Sequence, residues 1–252
     1  MFEGDQLKSN KSRTVVVVEN VTFCFPDSSL PLMQNMSARF PAGLNAIIGP
    51  SGVGKSTVVN IILGFIRPNS GSVYFLSESG SRIASPKISL VPQSPHIFFG
   101  GVVQNISLGL PLSPGDTEYI YNLLLECNLD SLHLDTLLSL PYEIQYENLL
   151  NLSGGEKQRL CIARALFHKS SLLVIDEGTN SLDIVLEYET VQLLKKLSRS
   201  VTIILVSHSK QVMQLCDKLF LFDDSGSIVT SGSYVELLRS NPNFGDFVRE
   251  GN

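Results

Sequence analysis

The chain contains no tryptophan, and aromatic residues make up only 8% of its 252 positions. The missing tryptophan excludes nothing, but other scarcities do. No window holds about eighteen consecutive apolar residues, the minimum for a membrane-crossing helix. Only four cysteines occur, at Cys24, Cys127, Cys161 and Cys216, with no C-x-x-C pair. That offers no thiolate metal site and suits a reducing compartment such as the cytosol. Lys and Arg number 19 against 24 Asp and Glu, for a formal net charge of −5. A nucleic-acid binder held by a basic surface is thereby disfavoured. The polar segment Met1 to Arg13 lacks the apolar centre of a signal peptide. No internal repeat or low-complexity stretch is present. A hydrophobic fraction of 43% is enough for a globular chain with a good core, in one or two domains.

What the chain does have is two glycine-rich loops roughly a hundred residues apart. They are Gly-Pro-Ser-Gly-Val-Gly-Lys-Ser-Thr, Gly49 to Thr57, and Asn-Leu-Ser-Gly-Gly-Glu-Lys-Gln-Arg, Asn151 to Arg159. The first fits G-x-x-x-x-G-K-[ST] through Gly49, Gly54, Lys55 and Ser56. Glycines let successive backbone N–H groups turn inward onto phosphate oxygens. Lys55 reaches the terminal phosphates, and the Ser56 hydroxyl is a Mg²⁺ ligand. The apolar run Leu44 to Ile48 reads as a strand before the loop, and Lys55 to Ile66 as a helix after it. The loop then lies at a helix N-terminus, where free N–H groups and the dipole favour an anion. The candidate phosphate-binding residues are Gly49, Ser51, Gly52, Val53, Gly54, Lys55, Ser56 and Thr57. A glycine-rich turn with a chance lysine is the plain alternative. The motif alone says nucleotide without saying reaction.

Ser171 to Ile175 reads as a buried parallel strand, followed by Asp176 and Glu177. A carboxylate beside a metal and a phosphate costs repulsion, so two at this place point to work there. Asp176 is placed to hold Mg²⁺ through its water shell, and Glu177 to polarise an attacking water. An acidic strand end facing solvent is the alternative.

With these motifs in this order, the chain resembles the nucleotide-binding domain of the ATP-binding cassette (ABC) family, from about Val15 to Phe247. Leu152-Ser153-Gly154-Gly155-Glu156 matches the family signature, with Glu where many members have Gln. Physically it is a second glycine-rich turn opening a helix, Lys157 to His168, and so a second anion site. The resemblance implies that Ser153, Gly154 and Gly155 cover ATP bound by another copy's cradle, in a head-to-tail pair. It implies that Gln93 senses Mg²⁺ and contacts a membrane partner, and that His208, after the strand Thr202 to Ser207, touches the γ-phosphate. Ser181-Leu182-Asp183 matches a loop crossing the dimer interface. Asp183 equally suits the N-cap of a helix from Ile184 to Leu197. Phe25 matches the aromatic that stacks on adenine, although Phe23 and Phe25 at alternate positions also suit one core-facing strand surface.

The implied fold is α/β: a P-loop NTPase of RecA-like type with a mainly parallel sheet, an N-terminal antiparallel β subdomain and an inserted helical subdomain. The expected organisation is one domain over 1–252. Its α/β core with the β subdomain covers 14–100 and 164–252, and a helical part over 101–163 carries the signature. A hairpin is expected through Ser77 to Ser81 and a strand near Ile88 to Val91. Residues Gly101 to Leu150 contain Asp116, Glu118, Glu126, Asp130, Asp135, Glu143 and Glu147 and no Lys or Arg. This acidic surface either faces a basic intracellular loop of a membrane partner or is simply solvated.

Pro95 to Ile106, Glu147 and Gly232 to Leu238 resemble exporter-type members. Leu149, Gly178 and Ser209 depart from the residues often found there, Gly, Ala and Arg. The expectation is an ATPase with ATP and Mg²⁺ as cofactors, at the cytoplasmic face of a membrane as a peripheral domain. Its partners are a transmembrane domain, separate or fused, and a second nucleotide-binding domain, with no nucleic acid. The rivals are an importer subunit, a soluble ATPase of this family acting on DNA or ribosomes, and a P-loop kinase. The short acidic Gln93 to Ser153 interval lacks the coiled coil or zinc module of DNA-acting relatives. The single cassette disfavours the ribosome-acting ones, and a kinase leaves the signature unexplained.

Overall fold

The computed structural model describes residues 13–129, 134–176, 184–223 and 225–250. Two sheets organise them. Strands β1 (Thr14–Phe23), β2 (Met33–Phe40), β4 (Ser70–Ser77) and β5 (Arg82–Ile83) form an antiparallel sheet in the order β2-β1-β4-β5. The second sheet adds β3 (Leu44–Ile48), β6 (Ile88–Val91), β7 (Leu172–Ile175), β8 (Thr202–Val206), β9 (Lys218–Phe222) and β10 (Ile228–Gly232), in the order β10-β9-β3-β8-β7-β6. It is parallel except for β10, which runs antiparallel to β9. The fold is thus the α/β P-loop NTPase type, with the expected hairpin at Ser77 to Ser81, where Ser77 N donates to Ser81 O.

The central strands are apolar throughout because both faces of the sheet are covered. Successive residues alternate between two cores. Leu44, Ala46, Ile48, Leu173, Ile175, Ile203 and Leu205 face one; Ile47, Leu172, Val174, Ile204 and Val206 face the other. The second core lies between the two sheets. There it takes up Val16, Val18 and Phe40 of the antiparallel sheet and Val58, Val59, Ile61 and Ile62 of helix α1 (Lys55–Ile62). The first core is closed by α2 (Val102–Ser107), α3 (Asp116–Glu126), α4 (Leu134–Ser139), α5 (Tyr142–Leu150), α6 (Gly154–Phe167), α7 (Ile184–Leu197), α8 (Lys210–Leu215), α9 (Tyr234–Ser240) and α10 (Pro242–Glu250). Among the described residues no helix is long and apolar enough to cross a membrane.

Two helices differ from their expected bounds. Helix α1 stops at Ile62 rather than Ile66, because Gly64 takes φ +78° and turns the chain so that Phe65 is exposed. Helix α6 starts at Gly154, three residues early. The reason is a capping box, in which the Ser153 hydroxyl accepts from Glu156 N while the Glu156 carboxylate accepts from Ser153 N.

Buried Asn105 holds the irregular segment before α2. Its Nδ2 donates to the carbonyls of Phe98, Gly100 and Gly101, and its Oδ1 accepts from Phe98 N. Asn105→Ala leaves these backbone groups buried without their partners. The expected cost is about 2–4 kcal/mol of unfolding free energy, read from urea denaturation.

Three of the four cysteines are buried. Burial pushes the Cys127 and Cys216 thiols up to about 12, so both are protonated at neutral pH.

Candidate nucleotide site

The cradle spans the end of β3 and the start of α1. Gly49 has φ +142°, and a Cβ there would lie 2.7 Å from Phe222 O and 2.9 Å from Phe222 Cβ. The close approach of β9 therefore requires glycine. Gly52 and Gly54 have φ +81° and +105°, which curls the loop so that α1 begins on a left-handed residue with no side chain capping it. Ser51 and Gly52 are exposed, Val53 and Gly54 buried, Ser56 and Thr57 half-buried. Lys55 is only 4% exposed. Its Nζ donates to Gly49 O at 2.9 Å and to Pro50 O at 2.5 Å, so the ammonium lies across the mouth of its own loop.

Parallel strands bring the remaining groups to the same edge. β6, β7, β8 and β3 are successive neighbours in the sheet, and their C-terminal ends lead to Gln93, Asp176, His208 and the cradle respectively. Asp176 N donates to Val91 O at 3.2 Å, fixing the β7 end against the β6 end. The Ser56 hydroxyl donates to Asp176 Oδ1 at 3.1 Å, across 120 residues of sequence. A hydroxyl and a carboxylate oxygen in contact are the donor set of a hard, oxygen-seeking cation. Left-handed glycines, an uncapped helix start and a buried ammonium are the donor set of a polyphosphate. The residues present fit both ATP and Mg²⁺.

Glu177, Ser181 and Asp183 lie outside the described residues. Phe25 is not part of β1. It is 47% exposed, whereas Phe23 is buried, and the two rings meet edge to face with centroids 5.0 Å apart. The reading of both rings as core therefore fails for Phe25, which is half exposed. Ser153 caps α6, and Gly154 and Gly155 open its first turn. Ser153 lines a cleft of about 800 Å³ with Glu126, Glu156, Arg159, Tyr188 and Lys196, and no cradle residue is among its described walls. Glu126, counted above in the acidic surface, is partly exposed and pairs with Lys196 of α7 at 3.4 Å. Glu118, Glu143 and Glu147 are exposed.

One buried charge escapes the sequence reading. Glu187, on the first turn of α7, is 9% exposed and accepts from the Ser209 hydroxyl at 2.8 Å. The signal was present: Glu187 shares a helical face with Thr190, Val191 and Leu194, all fully buried, so a carboxylate stands on an apolar stripe.

Fold and cradle together define a P-loop nucleotide-binding domain. The sequence model of the family described as ABC transporter matches residues 33–180. The chain is 34% identical to ABC multidrug transporter E of Aspergillus fumigatus, over 98% of this chain and 20% of that protein. It is 31% identical to the ATP-dependent lipid A-core flippase of Photorhabdus laumondii, over 95% of this chain and 42% of that one. A bacterial Atm1-family ABC exporter, solved with ATP bound, superposes with a TM-score of 0.76 at 26% identity, covering 94% of this chain and 42% of the exporter's. The chain belongs to the ABC transporter family. It spans between a fifth and about two fifths of the length of these relatives.

Proposed function

We propose that this chain hydrolyses ATP to drive export across a membrane, in a head-to-tail pair with a second nucleotide-binding domain. The observation that supports this best is the convergence of the Lys55 cradle, Asp176, Gln93 and His208 at one edge of four neighbouring strands. In this reading Gly49, Ser51, Gly52, Val53, Gly54 and Thr57 hold the phosphates, and Lys55 offsets their charge. Ser56 and Gln93 ligate Mg²⁺, and Asp176 holds it through water. A cation held by these residues would supply Lewis-acid neutralisation of phosphate charge. Glu177 takes the proton from the attacking water, and His208 orients the γ-phosphate. Phe25, half exposed, stacks on adenine. Ser153, Gly154 and Gly155 complete the site of the other copy, and Asp183 lies at the interface between copies. The cleft that Ser153 lines has no cradle residue among its described walls, which supports this division of labour.

The chain is read as one domain over 1–252, with the helical part at 101–163 set into an α/β core of 14–100 and 164–252. The helical part docks on a transmembrane domain, separate or fused, at the cytoplasmic face. The exposed carboxylates Glu118, Glu143 and Glu147 face basic residues there. Reversing Glu143 and Glu147 to Lys is expected to weaken co-purification with the transmembrane partner while ATP hydrolysis by the domain alone persists. Unchanged association would remove the electrostatic part of the proposal. The function itself is tested by phosphate release from ATP with Mg²⁺, with sedimentation of the chain in its presence. Transfer of the γ-phosphate to a small acceptor instead of water would replace this reading with a kinase.

A further inference from the structure

We infer that Glu187 is a positioning residue for His208, acting through the hydroxyl of Ser209; the inference rests on the proposed role of His208 at the γ-phosphate. The evidence is a short chain of bonds from α7 to the β8 end. Ser207 is fully buried at the end of β8, and its backbone N donates to Ile47 O at 3.3 Å, next to the cradle strand's last residue. The Ser207 hydroxyl accepts from Ser209 N at 3.0 Å, closing a tight turn around His208. On the far side of that turn, Ser209 is the N-cap of α8, its hydroxyl facing Val212 N at 3.5 Å.

A serine hydroxyl has one proton and two lone pairs. Here the proton is committed to the Glu187 carboxylate, which leaves the lone pairs for the backbone N–H groups of α8. Glu187 therefore fixes the orientation of the cap, and the cap fixes the backbone that carries His208. A buried carboxylate facing a neutral hydroxyl is a costly way to fill an apolar stripe, and Val191 and Leu194 show what would pack there without it. Glu187 is also on the helix that follows the segment carrying Glu177. The same bond thus ties the start of α7 to the start of α8.

The test compares Glu187→Ala, Glu187→Gln, Ser209→Ala, His208→Ala and the Glu187→Ala/His208→Ala pair in this chain. Glu187→Ala and Ser209→Ala are expected to lower kcat for ATP ten- to about a hundredfold, as for a displaced catalytic group. Their Kd for ATP should stay within about threefold of the parent. Glu187→Gln keeps an acceptor oxygen and should restore most of kcat. Glu187→Ala should cost nothing further once His208 is gone. A second readout needs no turnover: the imidazole NMR signals of His208 should respond to a nonhydrolysable ATP analogue in the parent and much less in Glu187→Ala. Parent-like kcat and imidazole response in Glu187→Ala, or multiplying losses in the pair, would overturn the inference and leave the role of His208 intact. Parent-like turnover in His208→Ala would instead remove the reading beneath it. If Glu187→Ala does not fold, Ser209→Ala severs the same link without emptying the buried site, and the same outcomes decide.

Discussion

Glu177→Gln is expected to bind ATP with nearly unchanged affinity and to hydrolyse it about 10²–10⁴-fold more slowly, the range for losing a general base. The amide keeps the size and hydrogen-bonding reach of the carboxylate but cannot accept the proton of the attacking water. The proposed phosphate grip of the loop from Gly49 to Thr57 does not involve Glu177 and should remain. On the proposed head-to-tail pairing, ATP that is held and not consumed would keep the pair closed, so the variant should sediment as a dimer with ATP and Mg²⁺ and as a monomer without them. Single-turnover phosphate release combined with sedimentation reads both. Turnover at the parent rate would show that the proton goes elsewhere and would withdraw Glu177 from the base role.

Lys55→Ala should act on binding itself. The Lys55 ammonium is buried at the mouth of the loop and donates to two backbone carbonyls. Those carbonyls carry only partial charge, whereas a triphosphate carries several full ones, so the ammonium gains when it turns from one to the other. Charge-assisted hydrogen bonds of this kind are worth about 1.5–3 kcal/mol, which translates to a rise of roughly ten- to a hundredfold in the Kd for ATP. The fold should tolerate the change, because α1 is anchored through Val58, Val59, Ile61 and Ile62 rather than through Lys55. Calorimetric titration with ATP, alongside thermal unfolding without it, separates the two effects. Near-parent affinity in a folded variant would mean that the loop does not grip phosphate as argued.

Much of this architecture was legible because its cause is local. The run Leu44–Ile48 is uniformly apolar, and it is a strand covered on both faces. Ile88–Val91 and Ile184–Leu197 also fall where apolar patterning puts them. Where the expectation slipped, a turn or a cap had the final word. Gly64 ended α1 early, and the Ser153–Glu156 box opened α6 early, although its S-x-x-E pattern stood in the sequence. Phe25 looked like strand because it alternates with Phe23, but alternation cannot tell where a strand stops. Long-range partners were beyond reach for another reason. The contacts of Ser56 with Asp176, Glu187 with Ser209 and Glu126 with Lys196 depend on strand order and helix packing, which no local window encodes.

The alternation of β3, β7 and β8 between two cores also bears on time. Amide protons in strands wedged between two packed layers escape to solvent only when the whole domain opens, so these segments should be among the slowest in the molecule to take up deuterium. The cradle, Asp176 and His208 are mounted on the ends of such strands. Their spacing is then set by the slowest-breathing part of the chain, and any cycle of opening and closing has to be carried by what is attached to that frame rather than by the frame itself.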